Sequence, residues 1–452
     1  MFCLPPEARL LESFAPAFTT RTFPHFLLLS VAAIVCCGRR TVSRLLWSVR
    51  CLLEAHPCTY HRVFSQARWS CWHLGRLLTA AVLARIPADQ PVLLPTDDTT
   101  DGPHHGKRVY GKGCWRDAVR SSASRFTVKW GHKWVVLAIR IRFPFCRRAW
   151  ALPVLVALAR KRALNRQEKH RHKSPAELGR QLLAVLIHWF PQRKFILLGD
   201  WGYGSHDLAW FCHRHRHHVT LVARCRNDLN LYALPPARRR PGRGRRCRKG
   251  RKLPSPKVVA ARGRHVRRTV RWYGESQREL ELFSACGGWY RGRGHGRAAL
   301  VPVRWVHVHD PITGRDDWFE TTDPTLRPEQ IVELFAGRWS IEVTFEEVRE
   351  HLGLESTRHW SPASVLRGGP CLLGLFSVVS LIFAHLAEHK TVRVRQMPGY
   401  HKTEPTFSDA LFAVRRLLWS QTILKHAFPR IDVAEFPRSL RQFLLERLAQ
   451  AA

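Results

Sequence analysis

Residues 194–204 read KFILLGDWGYG, and this stretch decides the fold class. Phe195 to Leu198 are apolar without interruption, which is typical of a strand that a sheet buries on both faces. A carboxylate, Asp200, follows the strand almost at once. Because such a strand needs helices to cover both faces of its sheet, the stretch predicts an α/β protein.

The segments around this stretch alternate between helix and strand patterns. Ser174-Pro175-Ala176-Glu177 combines a capping serine, a proline at the first helical position and a glutamate that completes a capping box. A helix is therefore predicted from there to about Phe190. Strands are predicted from residue 92 into 96–98, and at 134–141, 150–157 and 219–224. This alternation of strands and helices predicts a mixed sheet.

The charge balance predicts a polyanionic partner. The chain has 74 Lys and Arg residues against 34 Asp and Glu residues, for a net charge of +40. A folded protein with this excess repels itself unless a polyanion neutralises it, and nucleic acid is the commonest one. An anionic membrane surface is the alternative. It requires a basic amphipathic helix or a lipid anchor, and neither is evident in the sequence.

Other compositional features favour a cytoplasmic protein. The apolar stretches at 26–37 and 371–386 are shorter than the roughly 20 residues of a membrane span, so buried core helices are predicted for both. No basic region precedes an apolar stretch near the N-terminus, so a signal peptide is not expected. The 13 cysteines lack paired spacing, which favours reduced thiols. The Cys- and His-containing run 212–218 is interleaved with arginines, and we interpret it as basic surface rather than a zinc site.

Three carboxylates are candidates for chemistry because of their positions. Asp98, with Asp97 beside it, ends a predicted strand, Asp200 ends the most apolar one, and Glu342 lies in a late helix. Carboxylates that converge repel each other unless a cation lies between them, and oxygen ligands suit Mg²⁺ or Mn²⁺. Two such ions about 4 Å apart can support phosphodiester cleavage. The alternatives are a turn-forming role for Asp98 and a helix-capping role for Asp200.

Three segments, in this order, resemble the DDE motifs of bacterial insertion-sequence transposases. They are Thr96-Asp97-Asp98-Thr99-Thr100, Gly199-Asp200-Trp201-Gly202-Tyr203 and Phe335-Ala336-Gly337-Arg338-Trp339-Ser340-Ile341-Glu342. The third is similar to a subgroup with a Tyr-x2-Arg-x3-Glu-x6-Lys signature, whose positions are held here by Phe335, Arg338, Glu342 and Arg349. Segments 131–135 and 222–226 add to the similarity, which covers residues 40–430.

The resemblance implies a site and a set of DNA contacts. It implies that Asp98, Asp200 and Glu342 are the catalytic residues and bind two Mg²⁺ or Mn²⁺ ions in an RNase H-like core. Asp98 is chosen over Asp97 because the family's aspartate directly precedes a threonine. Arg338 and Arg349 are expected at DNA phosphates near the cut. Further predicted DNA contacts are Arg39, Arg40, Arg224 and Trp339.

The patterns along the chain predict five segments, and for the first of them a helical cap with ordinary surface arginines is the alternative to a DNA-binding domain. They are a helical DNA-binding domain at 1–88, the first part of the catalytic core at 89–234, a basic loop with a β-rich insertion at 235–325, the last part of the core with the Glu342 helix at 326–390, and a helical C-terminal region at 391–452. The α/β fold class thus becomes an RNase H-like mixed sheet with helical additions.

The implied activity is DNA transposition, by metal-dependent cleavage at the ends of an element and strand transfer into target DNA. The implied partners are terminal inverted repeats, target DNA and a second protomer in a synaptic complex, with no membrane, at the bacterial nucleoid. One alternative is an inactive or repurposed DNA-binding protein derived from a transposase. Another is a different RNase H-like nuclease.

Helical spacing bears on the role of Glu342. Arg338, Glu342, Phe345 and Arg349 are spaced i, i+4, i+7 and i+11, so they share one helix face. This arrangement suits a metal ligand beside a phosphate backbone, and it also suits two intrahelical ion pairs of a few tenths of a kcal/mol each. Trp339 and Trp318 are candidates for stacking on an unpaired base, although core packing is the favoured interpretation for both.

Overall fold

The structure, a computed structural model, describes residues 2–450 except for a number of short stretches. The stretches left out are 103–105, 107, 118–119, 122–123, 236–247, 293–298, 390–393, 397–398, 400 and 428–434. The greater part of the predicted basic loop therefore lies outside the described residues.

The described chain runs from N-terminal helices through a large sheet to C-terminal helices. The α-helices are α1 (Phe23–Val35), α2 (Val42–Ser48), α3 (Pro57–Ser65), α4 (Cys71–Leu83), α5 (Arg162–Gln167), α6 (Pro175–Trp189), α7 (His206–Arg214), α8 (Pro256–Arg262), α9 (Pro328–Gly337), α10 (Ser340–Leu352), α11 (Pro362–His389), α12 (Phe407–Leu418), α13 (Leu424–Ala427) and α14 (Arg438–Ala449). The strands are β1 (Val92–Thr100), β2 (Gly113–Arg116), β3 (Val128–Gly131), β4 (Lys133–Ile141), β5 (Trp150–Ala159), β6 (Phe195–Gly199), β7 (Val219–Arg224), β8 (Leu231–Tyr232), β9 (Val266–Arg271), β10 (Gln277–Arg291), β11 (Ala299–Asp310) and β12 (Arg315–Thr321).

Five strands form the centre of the sheet, in the order β5-β4-β1-β6-β7. β1, β6 and β7 are parallel to one another, whereas β4 and β5 are antiparallel to their neighbours. β1, β4 and β5 form an antiparallel meander, and β6 and β7 are added in parallel on the free side of β1. This is the RNase H-like arrangement. The predicted mixed α/β sheet is therefore confirmed.

The β-rich insertion continues this sheet. β12 pairs antiparallel with β7, with Thr321 opposite Val222, and β11, β10 and β8 follow in order. β9 pairs with β10 at the end of this extension. The insertion therefore extends the central sheet. The pairing that joins them, between β7 and β12, connects segments that are distant in sequence.

The strand at 195–199 has the predicted burial on both faces. Phe195 and Leu197 belong to the large core cluster, and Leu198 belongs to a second cluster under α9. The predicted capping box of α6 is also confirmed, since the Ser174 hydroxyl accepts a hydrogen bond from the Glu177 amide at 3.3 Å and the Glu177 carboxylate accepts one from the Ser174 amide at 2.7 Å. Both local sequence signals, the apolar run of β6 and the capping box of α6, therefore predict the observed structure.

The N-terminal helices and α11 share one core with the sheet. α4 and α11 both pack against β5, and residues of α1 to α4 belong to the same core cluster as the central strands. Among the described helices, α11 is the one long and apolar enough to cross a membrane, and 72% of its most apolar stretch is buried inside the fold. This burial agrees with the core helix predicted at 371–386.

Glu320 is an acid buried inside the sheet extension. It lies on β12 between Trp305 of β11 and Ala223 of β7, and it is 1% exposed. Neither carboxylate oxygen has a hydrogen-bond partner among the residues that the structure describes. Burial raises the pKa of Glu320 to about 8, so the side chain is neutral at pH 5 and must ionise inside the core as the pH rises.

We expect Glu320→Gln to change how stability depends on pH. An acid whose pKa is raised in the folded state holds its proton after the unfolded chain has lost it, so the free energy of unfolding falls as the pH rises from about 4.5 to 8. Glutamine removes this loss, which reaches up to about 4 kcal/mol by pH 8. Denaturant unfolding at pH 5 and pH 8 measures it. Equal pH slopes for the parent and the variant would contradict the assignment.

Candidate active site

Asp97 and Asp98 point to opposite faces of β1, because neighbouring residues of a strand alternate. The Asp98 carboxylate pairs with the Lys133 ammonium at 2.7 Å, across to the neighbouring strand β4. Thr96, on the same face, lies against α6 near Gly179. Asp97 instead faces α10. The two aspartates therefore have different partners, although the sequence presents them as a pair.

Arg338 joins Asp97 to Glu342. Its guanidinium donates to the Asp97 carboxylate at 2.6 Å and to the Glu342 carboxylate at 2.7 Å. Arg338 and Trp339 separate α9 from α10, but both keep helical backbone angles, so the i, i+4 spacing of Arg338 and Glu342 is preserved. The single helix predicted through this stretch is thus two helices with a short joint.

Asp200 follows β6, next to β1 in the sheet. Thr96 is opposite Gly199 in the parallel pairing, so Asp200 emerges beside the aspartate pair. A tight turn fixes it: its Oδ1 accepts a hydrogen bond from the Gly202 amide at 2.9 Å. A Cβ on Gly204 would lie 2.1 Å from the Arg224 carbonyl oxygen, so only glycine allows this close approach of the turn to β7.

The four carboxylates interact electrostatically. Burial raises the pKa of Asp97 to about 7, against the effect of Arg338, and the charges of Asp200 and Asp98 raise it further. Burial also raises the pKa of Asp98 and of Glu342, and in both cases the Asp200 charge acts in the same direction. The charge of Asp200 therefore acts on all three of the other carboxylates.

This donor set fits a divalent metal. The charge of Asp200 raises the pKa values of the other three carboxylates, and a cation relieves this kind of repulsion. Their ligand atoms are all oxygen, which suits Mg²⁺ or Mn²⁺ rather than a soft metal. In the present structure, Arg338 and Lys133 supply positive charge to the cluster. The predicted residues Asp98, Asp200 and Glu342 thus belong to one cluster of interacting charges, with Asp97 as a fourth member that the resemblance passed over. In this arrangement no three of the four offer oxygens that all lie within 4.8 Å of one another, so binding a shared ion requires side-chain movement.

Aromatic and basic groups surround the cluster. Trp201 is 51% exposed, and the guanidinium of Arg224 lies over its ring, with the guanidinium carbon 5.6 Å from the ring centroid. Arg224 also pairs with Asp317 of β12. Trp339 is 44% exposed and makes an edge contact with Tyr273. Arg224 and Trp339 are therefore accessible beside the site, as a DNA contact requires.

Three other residues from the sequence analysis contact the rest of the fold. Trp318 is 9% exposed and packs against Trp305, so the core-packing interpretation holds for it. Arg349 donates to the Thr99 hydroxyl and lies 3.7 Å from the Glu355 carboxylate, so it ties α10 to β1. Phe335, at the position of the signature tyrosine, is buried in the cluster under α9.

Arg39 and Arg40 differ sharply. Arg39 is exposed, whereas Arg40 is 4% exposed. The Arg40 guanidinium donates to the carbonyls of Ala33 at 3.1 Å and His351 at 2.7 Å, and also to that of Gly38. The predicted DNA contact of Arg40 is therefore corrected: its guanidinium caps the end of α1 and joins it to α10.

The sequence signal for the missed residues is weak. Lys133 lies in segment 131–135, which carries part of the resemblance, and its partnership with Asp98 follows from the β1–β4 register. The Asp97–Arg338 contact joins residues 241 positions apart, so no local pattern could indicate it. Tyr203 lies fully buried beside Gly199, and burial, together with the charges of Asp98 and the other carboxylates, raises its pKa.

A sheet of this order, with carboxylates at its central strands, has the architecture of the RNase H-like fold. Comparison with protein families gives the narrower identification. Residues 13–279 match the family described as DDE superfamily endonuclease, and this match spans more than half of the chain. The chain belongs to that family. The matched range includes Asp97, Asp98 and Asp200 and ends before Glu342.

A search of solved structures finds similarity to the piggyBac transposase in a synaptic complex with hairpin DNA. The identity is 10%, the TM-score is 0.41, and the alignment covers 98% of this chain and 84% of the other. No curated protein sequence matches the chain.

We expect Arg338→Gln to make the fold more dependent on divalent cations. Without the guanidinium, Asp97 and Glu342 face each other with no counter-charge, so the melting temperature without metal should fall by about 2–5 °C. Mg²⁺ should then raise it more in the variant than in the parent. Thermal unfolding with and without Mg²⁺ measures both effects.

Arg142→Gln is the matched control for this experiment, because Arg142 pairs at 2.6 Å with Glu275, a partner outside the carboxylate cluster. Its response to Mg²⁺ should equal that of the parent. If Mg²⁺ stabilises Arg338→Gln no more than the parent, Arg338 does not offset repulsion at a metal site.

Arg40→Ala should destabilise the fold, whereas Arg39→Ala should not. The first change leaves three carbonyl groups, one buried and two partly buried, without their charged donor, a loss of about 2–4 kcal/mol. The second removes an exposed side chain, for which changes within about 0.5 kcal/mol are usual. Denaturant unfolding of the two variants compares neighbouring arginines directly, and equal losses would argue against the capping role of Arg40.

Proposed function

We propose that this DDE superfamily endonuclease is a DNA transposase that cuts the ends of a mobile element and joins them to target DNA. The observation that carries the proposal is the carboxylate cluster formed by Asp97 and Asp98 of β1, Asp200 directly after β6, and Glu342 of α10. A net charge of +40 suits a protein that must hold DNA along its surface. The bacterial insertion-sequence origin and the Tyr-Arg-Glu-Lys-type signature belong to the same proposal.

We assign the metal-binding role to Asp200, Glu342 and one or both aspartates of β1. When bound, Mg²⁺ or Mn²⁺ ions, two in the proposed site, supply Lewis-acid activation of the attacking and leaving oxygens. The carboxylates orient this chemistry because each is held by a defined partner: Gly202 for Asp200, Arg338 for Asp97 and Glu342, and Lys133 for Asp98.

Positive groups around the cluster would hold the DNA strand. Lys133 and Arg338 each have a hydrogen-bonded carboxylate partner here, and metal binding to those carboxylates would free their donors for phosphate oxygens. Arg224 and Trp339 offer a guanidinium and an exposed ring beside the site. The proposed substrates are terminal inverted repeats and target DNA, and the proposed assembly is a synaptic complex of two protomers.

For the first ligand we favour Asp97, although the resemblance favours Asp98. Asp97 shares the Arg338 guanidinium with Glu342, so these two carboxylates lie on the same side of β1. Asp98 faces the other side, where it pairs with Lys133. A metal that binds Glu342 therefore meets Asp97 with less rearrangement.

The test is cleavage and strand transfer, in Mg²⁺, on DNA that carries the element's ends. We expect Asp200→Asn, Glu342→Gln and Asp97→Asn each to lower the cleavage rate by at least about a thousandfold, while DNA binding persists, because each removes a carboxylate that holds the metal. Asp98→Asn should lose less activity than Asp97→Asn. A larger loss with Asp98→Asn would select Asp98, as the resemblance implies.

Glu350→Gln is the control, because Glu350 is an exposed carboxylate on the same helix as Glu342. It should cut like the parent. If the parent binds DNA but neither cuts nor joins it, the protein is a non-enzymatic DNA-binding protein. If it cuts without joining, it is a different RNase H-like nuclease. If all four site variants cut like the parent, the site assignment is wrong.

A further inference from the structure

The end of α11 carries three metal-ligating side chains away from the carboxylate cluster. His385, Glu388 and His389 are spaced i, i+3 and i+4, so they share one face of the last helical turn. One ligand atom of each can be chosen so that all three lie within 4.8 Å of one another. Two imidazoles and one carboxylate form the ligand set of known zinc sites.

Neighbouring contacts orient this group. The guanidinium of Arg85, just beyond α4, pairs with Oε1 of Glu388, and Oε2 of the same carboxylate lies 3.6 Å from Nδ1 of His385. The carboxylate is thus held from one side and presents its other oxygen to the histidine. Such an outer hydrogen bond on a metal-binding carboxylate is a usual part of metal sites. The two imidazole rings are in edge-to-face contact, with their centroids 4.7 Å apart at 80°.

The cluster is accessible from outside the fold. The last described turn of α11, up to His389, brings its side chains out of the core. His385 and Glu388 are 39% and 47% exposed, so an ion can reach them without unfolding of the helix.

We propose that His385, Glu388 and His389 form a binding site for a transition metal of the Zn²⁺ type. The imidazole nitrogens select for Zn²⁺ over Mg²⁺, whereas the all-oxygen cluster at Asp200 has the opposite preference. The bound ion fastens the end of α11 and, through Arg85, the segment that follows α4. The site is independent of the proposed transposase activity and leaves the DNA-cleaving residues untouched.

The test is a titration of the untagged full chain with Zn²⁺, after treatment with a chelator, in millimolar Mg²⁺. We expect one Zn²⁺ per chain in competition with a chromophoric chelator, together with a rise in melting temperature. His385→Ala and His389→Ala should each weaken binding by at least about tenfold and remove the thermal shift. Glu388→Gln should weaken binding less, since an amide oxygen still provides a ligand.

His217→Ala provides the matched control, because His217 is an exposed histidine of the run at 212–218. It should bind Zn²⁺ like the parent. Unchanged Zn²⁺ binding in both His385→Ala and His389→Ala would overturn the proposal, as would loss of binding in His217→Ala or Zn²⁺ binding without a defined stoichiometry. If the circular dichroism and melting temperature of each variant without metal equal those of the parent, the fold is intact, and loss of binding can be assigned to the ligands.

Discussion

Repulsion between carboxylates is the constraint on which the centre of this protein depends. Four acidic side chains from β1, the β6 turn and α10 lie close enough for their charges to interact, and burial raises the pKa values of three of them. Arg338 and Lys133 offset part of that repulsion through contacts of 2.6–2.7 Å. Buried carboxylates that need counter-charges cost folding free energy, so stability alone does not explain them. A cluster of this kind is typical of a site that binds a cation.

The scaffold explains how segments so distant in sequence meet. β1 and β6 are adjacent and parallel, so Asp97 and Asp98 in the last part of β1 and Asp200 directly after β6 lie toward the same, carboxyl-terminal end of these strands. α10 is pressed onto β1 and β5, where the Thr344 hydroxyl donates to the Ala151 carbonyl at 2.8 Å and Arg349 reaches Thr99. Because this packing positions Glu342, changes in the core beneath α10 would move a carboxylate of the site.

The sequence predicts those features that local physics controls. The apolar run of β6, the capping box of α6 and the Arg338–Glu342 spacing are set by neighbours within about one helical turn, and all three are present. Which of Asp97 and Asp98 faces α10 could not be predicted. Side chains alternate along a strand, so the two must point to opposite faces of the sheet, but the sequence does not say which face α10 covers. The DNA contact predicted for Arg40 was wrong for a related reason. Arg39 and Arg40 are equivalent in the sequence, and only the structure shows that Arg40 is buried.

The continuity of the sheet has a geometric consequence. From β6, beside the carboxylates, the hydrogen-bonded order runs through β7, β12 and β11 to β10. Neighbouring strands are about 4.8 Å apart, so four steps place β10 about 19 Å from the end of β6. The extension therefore fixes a distance, because any group bound to its outer strands lies a set number of strand spacings from Asp200. One strand more or fewer would change that distance by about 4.8 Å.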